Sequence, residues 1–135
     1  RVCCASPAYL ARRGPPLRIE DLAQHDTIVT TGVRPNAERW TFETADRTVT
    51  VKPRLTVNAV QAALDAAVAG GGIVRPFSYQ SAPLEAEGKL VRLFEDAPEP
   101  PIPIHIVHPA GRYLPPKTRL FIDRAVPELR AKFGA

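Results

Sequence analysis

The 135 residues are enough for one modest domain but not for two. Apolar residues make up 44% and charged residues 24%, the mix of an ordinary globular domain, and no apolar run is long enough for a transmembrane helix. The formal net charge is +4, but the basic residues are scattered, so charge alone does not point to nucleic acid.

In chain order, residues 2–5 predict a short buried strand. Ser6-Pro7 then opens a helix over 8–13: the serine side chain can accept from a free backbone N–H, and proline suits the first helical position. Gly14 with Pro15-Pro16 stops it. A helical turn is expected over 19–23, and the β-branched run 27–30 predicts a strand. A polar loop with Pro35 and Asn36 follows. Residues 40–43 and 48–51 alternate apolar and polar, as the arms of a hairpin turning at 45–47.

Leu55-Thr56-Val57 predicts a third short strand. The clearest helix is 58–69, where Val60, Ala63, Leu64, Ala67 and Val68 form one apolar stripe. Asn58 is expected to cap it, with Gln61 completing a capping box. Gly70-Gly71-Gly72 ends it, and 73–76 is a strand. Strand, helix and strand in succession predict a βαβ unit with parallel strands. A short helix at 77–82, a turn at 83–88 and a strand at 90–93 follow. Residues 95–103 are loose. Residues 104–108 alternate as a strand, and a final helix starts near Pro116, with Pro127 expected to kink or restart it. The fold class is α/β.

The residues that carry chemistry are few. Cys3 and Cys4 are adjacent, so their side chains point apart on a strand and are not expected to bridge. They suit a reducing cytoplasm. His105 and His108 face opposite sides of their strand, and His25 sits in a turn, so no metal and no cofactor are expected. The three glycines follow a helix, whereas a phosphate loop precedes one. No clustered catalytic set occurs, so the chain is not expected to be an enzyme. One place looks built for binding. Ligands of open parallel sheets sit at the carboxyl ends of strands, beside helix starts. Asn58 at a helix start and Thr30-Thr31 at a strand end fit a small anion such as a carboxylate. Asn58 reads equally well as a cap alone.

The chain resembles the effector-binding domain of LysR-type transcriptional regulators over nearly its full length. The matching stretches are Ser6-Pro7-Ala8-Tyr9-Leu10-Ala11 with Gly14-Pro15-Pro16; Glu20-Asp21-Leu22 and His25; Trp40-Thr41-Phe42; Leu55-Thr56-Val57-Asn58; residues 66–73; Gly88-Lys89-Leu90-Val91; and His108-Pro109 leading into residues 114–123. Their order and spacing carry the likeness. One departure is Gly71, where the family usually has an apolar residue, and a looser turn is expected there.

The resemblance implies a type 2 periplasmic-binding-protein-like fold, with two α/β subdomains flanking an effector cleft. Residues 1–108 would be the second subdomain, a mixed sheet flanked by helices. Its hinge strands, near 1–5 and 104–108, would pair antiparallel. Residues 109–135 would be a loop and a C-terminal helix returning to the first subdomain. The absence of Met and the opening Arg1 fit a piece of a longer protein. A winged helix-turn-helix domain ahead of it would contact DNA. Effector contacts are expected from Thr30, Thr31, Asn58, Ala59, Pro76 and Phe77, beside Val57 and Arg75. The likeness further implies a cytoplasmic protein that forms dimers or higher oligomers and does not bind membranes. Effector binding by this piece alone is expected to be weak or absent. The rival reading is part of a periplasmic solute-binding protein of the same fold. The motif string and the adjacent unpaired cysteines favour the regulator.

Overall fold

The body of the molecule follows from alternation. Successive side chains of a strand point to opposite faces, so a strand buried on both faces feeds two cores. The computed structural model describes residues 1–31, 37–42, 47–97, 101–108 and 114–133. Residues 32–36 of the polar loop expected over 32–39, residues 43–46 with most of the turn expected at 45–47, and residues 98–100, 109–113 and 134–135 lie outside the described residues. The chain divides into two units, Arg1–Pro101 and Ile102–Ala135.

The first unit is built on five strands: β1 (Cys3–Ala5), β2 (Thr27–Thr30), β5 (Pro53–Val57), β6 (Ile73–Val74) and β7 (Val91–Leu93). Together with the hairpin strands β3 (Arg39–Phe42) and β4 (Arg47–Thr50), they are numbered in chain order. The sheet order is β5-β2-β6-β1-β7. β5, β2 and β6 run parallel, and β1 and β7 run antiparallel to their neighbours. The expected parallel βαβ pair is therefore present, with β2 inserted between its two strands.

Cys3, Ala5, Val29 and Ile73 face one core, with Tyr9, Leu22, Trp40 and Phe42. Cys4, Ile28 and Val74 face the other, with Ala63, Leu64 and Ala67 of α2 (Val60–Val68). The two cysteines thus point to opposite faces, both buried and neither in a disulfide. On the first face lies α1 (Pro7–Arg13), started by Ser6, whose Oγ accepts from the Tyr9 N–H at 3.4 Å. Gly14, at φ 82°, ends it in a conformation that other residues rarely adopt. A 3₁₀ helix, Ile19–Gln24, follows. The hairpin packs here too, in the register Trp40–Val49 and Thr41–Thr48.

Three local expectations need correction. The N-cap of α2 is Ala59, not Asn58, and no side chain caps it; Gln61 instead donates to Asp65 Oδ1 at 2.9 Å. The turn at Gly71 is closed rather than loose. The Gly71 N–H donates to Ala66 O at 2.8 Å, and a Cβ there would stand 2.8 Å from that same oxygen. The third helix, α3 (Ser78–Ala86), runs through Pro83 instead of stopping before it. Its start is fixed by Gln80 Oε1, which accepts from the Phe77 N–H at 2.9 Å.

The second unit differs from expectation at its start. Residues 104–108 form no strand. Within the first unit, both edges of β1 are occupied by β6 and β7. The unit's helix, α4 (Pro116–Phe133), is assigned without interruption through Pro127, and none of its described residues is buried.

Candidate functional site

Three parallel strands end at one edge of the sheet. Thr30 lies opposite Val57, and Ile28 lies opposite Val74, so β5, β2 and β6 release the chain side by side. The next residues are Asn58-Ala59, Thr31 and Arg75-Pro76-Phe77. The sequence-predicted set is thereby brought to one edge by the strand order alone. β1, being antiparallel, begins at the same edge: the Val2 N–H donates to Pro76 O at 3.0 Å.

The members differ in what they offer. Thr31 is exposed but tied down; its N–H donates to Val57 O at 2.8 Å and its hydroxyl to the same oxygen at 3.4 Å. Thr30 is half-buried at the strand end, while Asn58 and Ala59 are exposed. Ala59 leads into the first turn of α2, where backbone N–H groups lack intrahelical acceptors and the dipole is positive. No acidic residue sits in that turn to neutralise it.

Pro76 is buried. Phe77 is no bare apolar wall: the Arg1 guanidinium lies 4.4 Å from its ring centroid, and the Tyr79 ring stacks on it at 5.7 Å and 9°. Arg1 also donates to Arg75 O at 3.2 Å. Arg75 turns the other way. Its guanidinium stands 5.6 Å from the Trp40 ring and 5.5 Å from the Phe42 ring, and donates to Thr41 O at 2.9 Å. It fastens the hairpin to the β6 exit. The edge is therefore polar at the β5–β2 side, and lined by guanidinium groups and aromatic rings at the β6–β1 side.

Arg1 and Tyr79 were missed as members of this edge. Tyr79 is two residues beyond Phe77 on a helix start, a spacing that gives no stacking signal by itself. Arg1 reaches the edge through the β1–β6 pairing, which joins Cys4 to Val74 across about half of the chain.

The remaining reactive groups sit elsewhere. Burial pushes the Cys4 thiol up to about 12, with the Glu85 carboxylate adding to the rise, so it stays protonated. Among the described residues no cluster of three or more His, Cys, Asp or Glu side chains could hold a metal ion. No described helix is long and apolar enough to cross a membrane.

Comparison with known proteins gives a consistent result. The family model described as LysR substrate binding domain matches residues 1–130. The HTH-type transcriptional regulator PtxR of Pseudomonas aeruginosa is 34% identical over 125 residues, which cover 91% of this chain and 40% of PtxR. The regulatory domain of AphB from Vibrio vulnificus, solved after cumene hydroperoxide treatment, superposes with a TM-score of 0.77 at 28% identity; the match covers 93% of this chain and 63% of that one. The regulatory domain of CrgA, a LysR-type transcriptional regulator from Neisseria meningitidis, superposes with a TM-score of 0.65 at 27% identity, over 73% of this chain and 48% of that one. The chain thus spans less than half the length of PtxR.

Proposed function

The chain belongs to the LysR substrate binding domain family, and from this premise we propose that it supplies one wall of the effector cleft of a LysR-type transcriptional regulator. Its fold is of the type 2 periplasmic-binding-protein-like kind, a mixed sheet with helices. The observation that carries the functional reading is the shared edge of β5, β2 and β6. It lines up Thr30, Thr31, Asn58 and Ala59 next to Pro76 and Phe77. In open sheets that edge is where ligands bind.

The effector we infer is a small molecule bearing an anion. The first-turn N–H groups of α2 and the Thr30 hydroxyl would meet its charge, and the Phe77–Tyr79 stack would border its apolar part. Effector held between this wall and a facing subdomain would favour a closed arrangement and so shift how a DNA-bound oligomer sits. On this reading residues 1–108 are the second subdomain, and residues 109–135 return to the first. DNA contact, self-association as dimer or higher oligomer, a cytoplasmic setting and the absence of enzymatic activity belong to the same proposal. The solute-binding alternative has no support from the relatives, which are transcriptional regulators.

Calorimetry tests the half-cleft reading directly. The chain alone is expected to bind small carboxylates, succinate for example, more weakly than about 100 µM, because half of the contacts are supplied elsewhere. Amide NMR shifts at high succinate should cluster at Thr31, Asn58 and Ala59. Tight binding to the isolated chain, or shifts scattered away from this edge, would overturn the assignment.

A further inference from the structure

Phe94 is the first residue after β7, and its φ is 58°. Among the described residues it is the one non-glycine with positive φ. A bulky side chain in that region is a steric outlier, and such a backbone persists only where its surroundings hold it. The β1–β7 register runs from Val91 to Leu93, so the strand ladder stops one residue short of it. The Phe94 ring supplies a hold of its own: it meets Phe42 edge to face, at 6.1 Å and 75°, and packs partly buried against the core. The Phe94 carbonyl accepts from the Ala97 N–H at 3.1 Å, so the left-handed residue opens a turn. Glycine would take this φ without strain but would bring no ring.

Phe42 is in turn fixed from the strand-end edge. It is buried in β3, and Arg75 grips it twice. The guanidinium stands 5.5 Å from the Phe42 ring and donates to the carbonyl of the preceding residue, Thr41, at 2.9 Å. Arg75 follows β6 directly and precedes Pro76, whose carbonyl accepts from the Val2 N–H at 3.0 Å. Three side chains therefore connect the β6 exit to the β7 exit by way of the hairpin. Strain at residue 94 opposes the ring contact that maintains it. The residue thus has two competing states: left-handed with its ring on Phe42, or extended with the ring released.

We propose that Arg75, Phe42 and Phe94 form a relay, in which the β6 exit sets the backbone state of residue 94 and with it the path of the chain beyond β7. Arg75 and Phe42 are positioning residues, acting through the Phe94 ring. Use of the relay by an effector rests on the cleft reading above: a ligand at Pro76 and Phe77 adjoins Arg75 in the chain and biases residue 94 through it.

NMR of the isotope-labelled whole chain reads the state of residue 94 directly. At positive φ the amide and Hα protons of one residue lie close together, so the intraresidue cross-peak of Phe94 should be strong in the native chain. It should fall severalfold in Phe94→Ala, which has no ring, and weaken in Phe42→Leu and Arg75→Ala. Arg54→Ala, which removes an arginine from the exposed pair with Asp26, should leave it unchanged. Core amides at Ile28 and Val74 show that each variant is folded. A weak peak in the native chain, or a strong one retained in Phe94→Ala, overturns the role of the ring. A peak unaffected by Arg75→Ala, or weakened equally by Arg54→Ala, overturns the relay. With succinate, shifts at Asn58 and Ala59 that are unaccompanied by one at Phe94 also overturn the relay and leave the cleft wall standing. The variants decide the relay without ligand, so failure of succinate to shift Asn58 and Ala59 counts against the cleft reading alone.

Discussion

Residues 2–5 and 104–108 carry the same strand signal and meet different ends. In the first stretch Cys3, Cys4 and Ala5 are all buried, and β1 is hydrogen-bonded on both edges. In the second, Ile104 is 58% and Val107 89% exposed, and no strand forms. The difference is in hydrogen bonding. A strand leaves its backbone groups for neighbours to satisfy, whereas a helix satisfies them internally. α4 shows the other half of that rule: it forms over 18 residues although none of its described residues is buried. Its apolar stripe includes Leu120 at 73% and Phe121 at 65% exposure.

The contrast can be broken by truncating one leucine in each unit. Leu64 of α2 is 3% exposed and packs with Ile28, Val74 and Leu90. Leu64→Ala should cost about 2–5 kcal/mol, because it removes buried methyl groups and leaves a cavity. Leu120→Ala on the exposed stripe of α4 should stay within about 0.5 kcal/mol. Urea denaturation of the two variants checks both. A large loss from Leu120→Ala would mean that α4 has a buried partner in solution.

The same rule decides how much was legible in the sequence. The stripe of α2 was read correctly: Ala63, Leu64 and Ala67 are buried as spaced. β2 follows from its β-branched run, and the hairpin arms follow from local alternation. What failed was whatever needed a second segment to decide it. Asn58 looks like a cap, but the preceding strand carries it one residue too early, and Ala59 takes the position. Pro83 looks like a helix stop, but α3 continues past it, with Ser81 buried and Leu84 packed against the core. That Thr30, Thr31 and Phe77 lie at or just beyond strand ends was legible because strand ends are local. The Arg75 clasp on Trp40 and Phe42 was not, since no spacing rule links residues more than thirty apart.

That clasp supplies a sharper, smaller test within the first unit. The hairpin forms a separate two-stranded sheet, and isolated hairpins are marginal in water. Its rings join the core, and Arg75 holds them from the β6 exit. Arg75→Ala should cost about 0.5–2 kcal/mol through loss of the cation–π contacts. It should also shift the emission of Trp40, the chain's one tryptophan, more than Arg54→Ala does. Arg54 makes only an exposed ion pair with Asp26, at 3.5 Å, and the comparison isolates the clasp from simple loss of charge.

The smallest effect is a pH dependence centred on His25. The Tyr9 hydroxyl accepts from the Asp26 N–H at 3.0 Å and is hydrogen-bonded to His25 Nδ1 at 3.0 Å, with the direction set by the imidazole tautomer. Burial lowers the pKa of His25 below its ordinary 6.5; Arg13 lowers it further, against opposing pulls from Asp21 and Asp26. A base with a lowered folded pKa binds fewer protons folded than unfolded, so stability rises with pH across the interval between the two values. The contribution is complete above the ordinary histidine range. It is lost as pH falls from there through the lowered value, and the curve is flat below. Melting temperatures followed downward from neutral pH should therefore decline more in the native chain than in His25→Gln, which has no imidazole to protonate. If the two chains decline in parallel, protonation of His25 is not what lowers stability in acid, and the acid sensitivity of the first unit comes from its carboxylates instead.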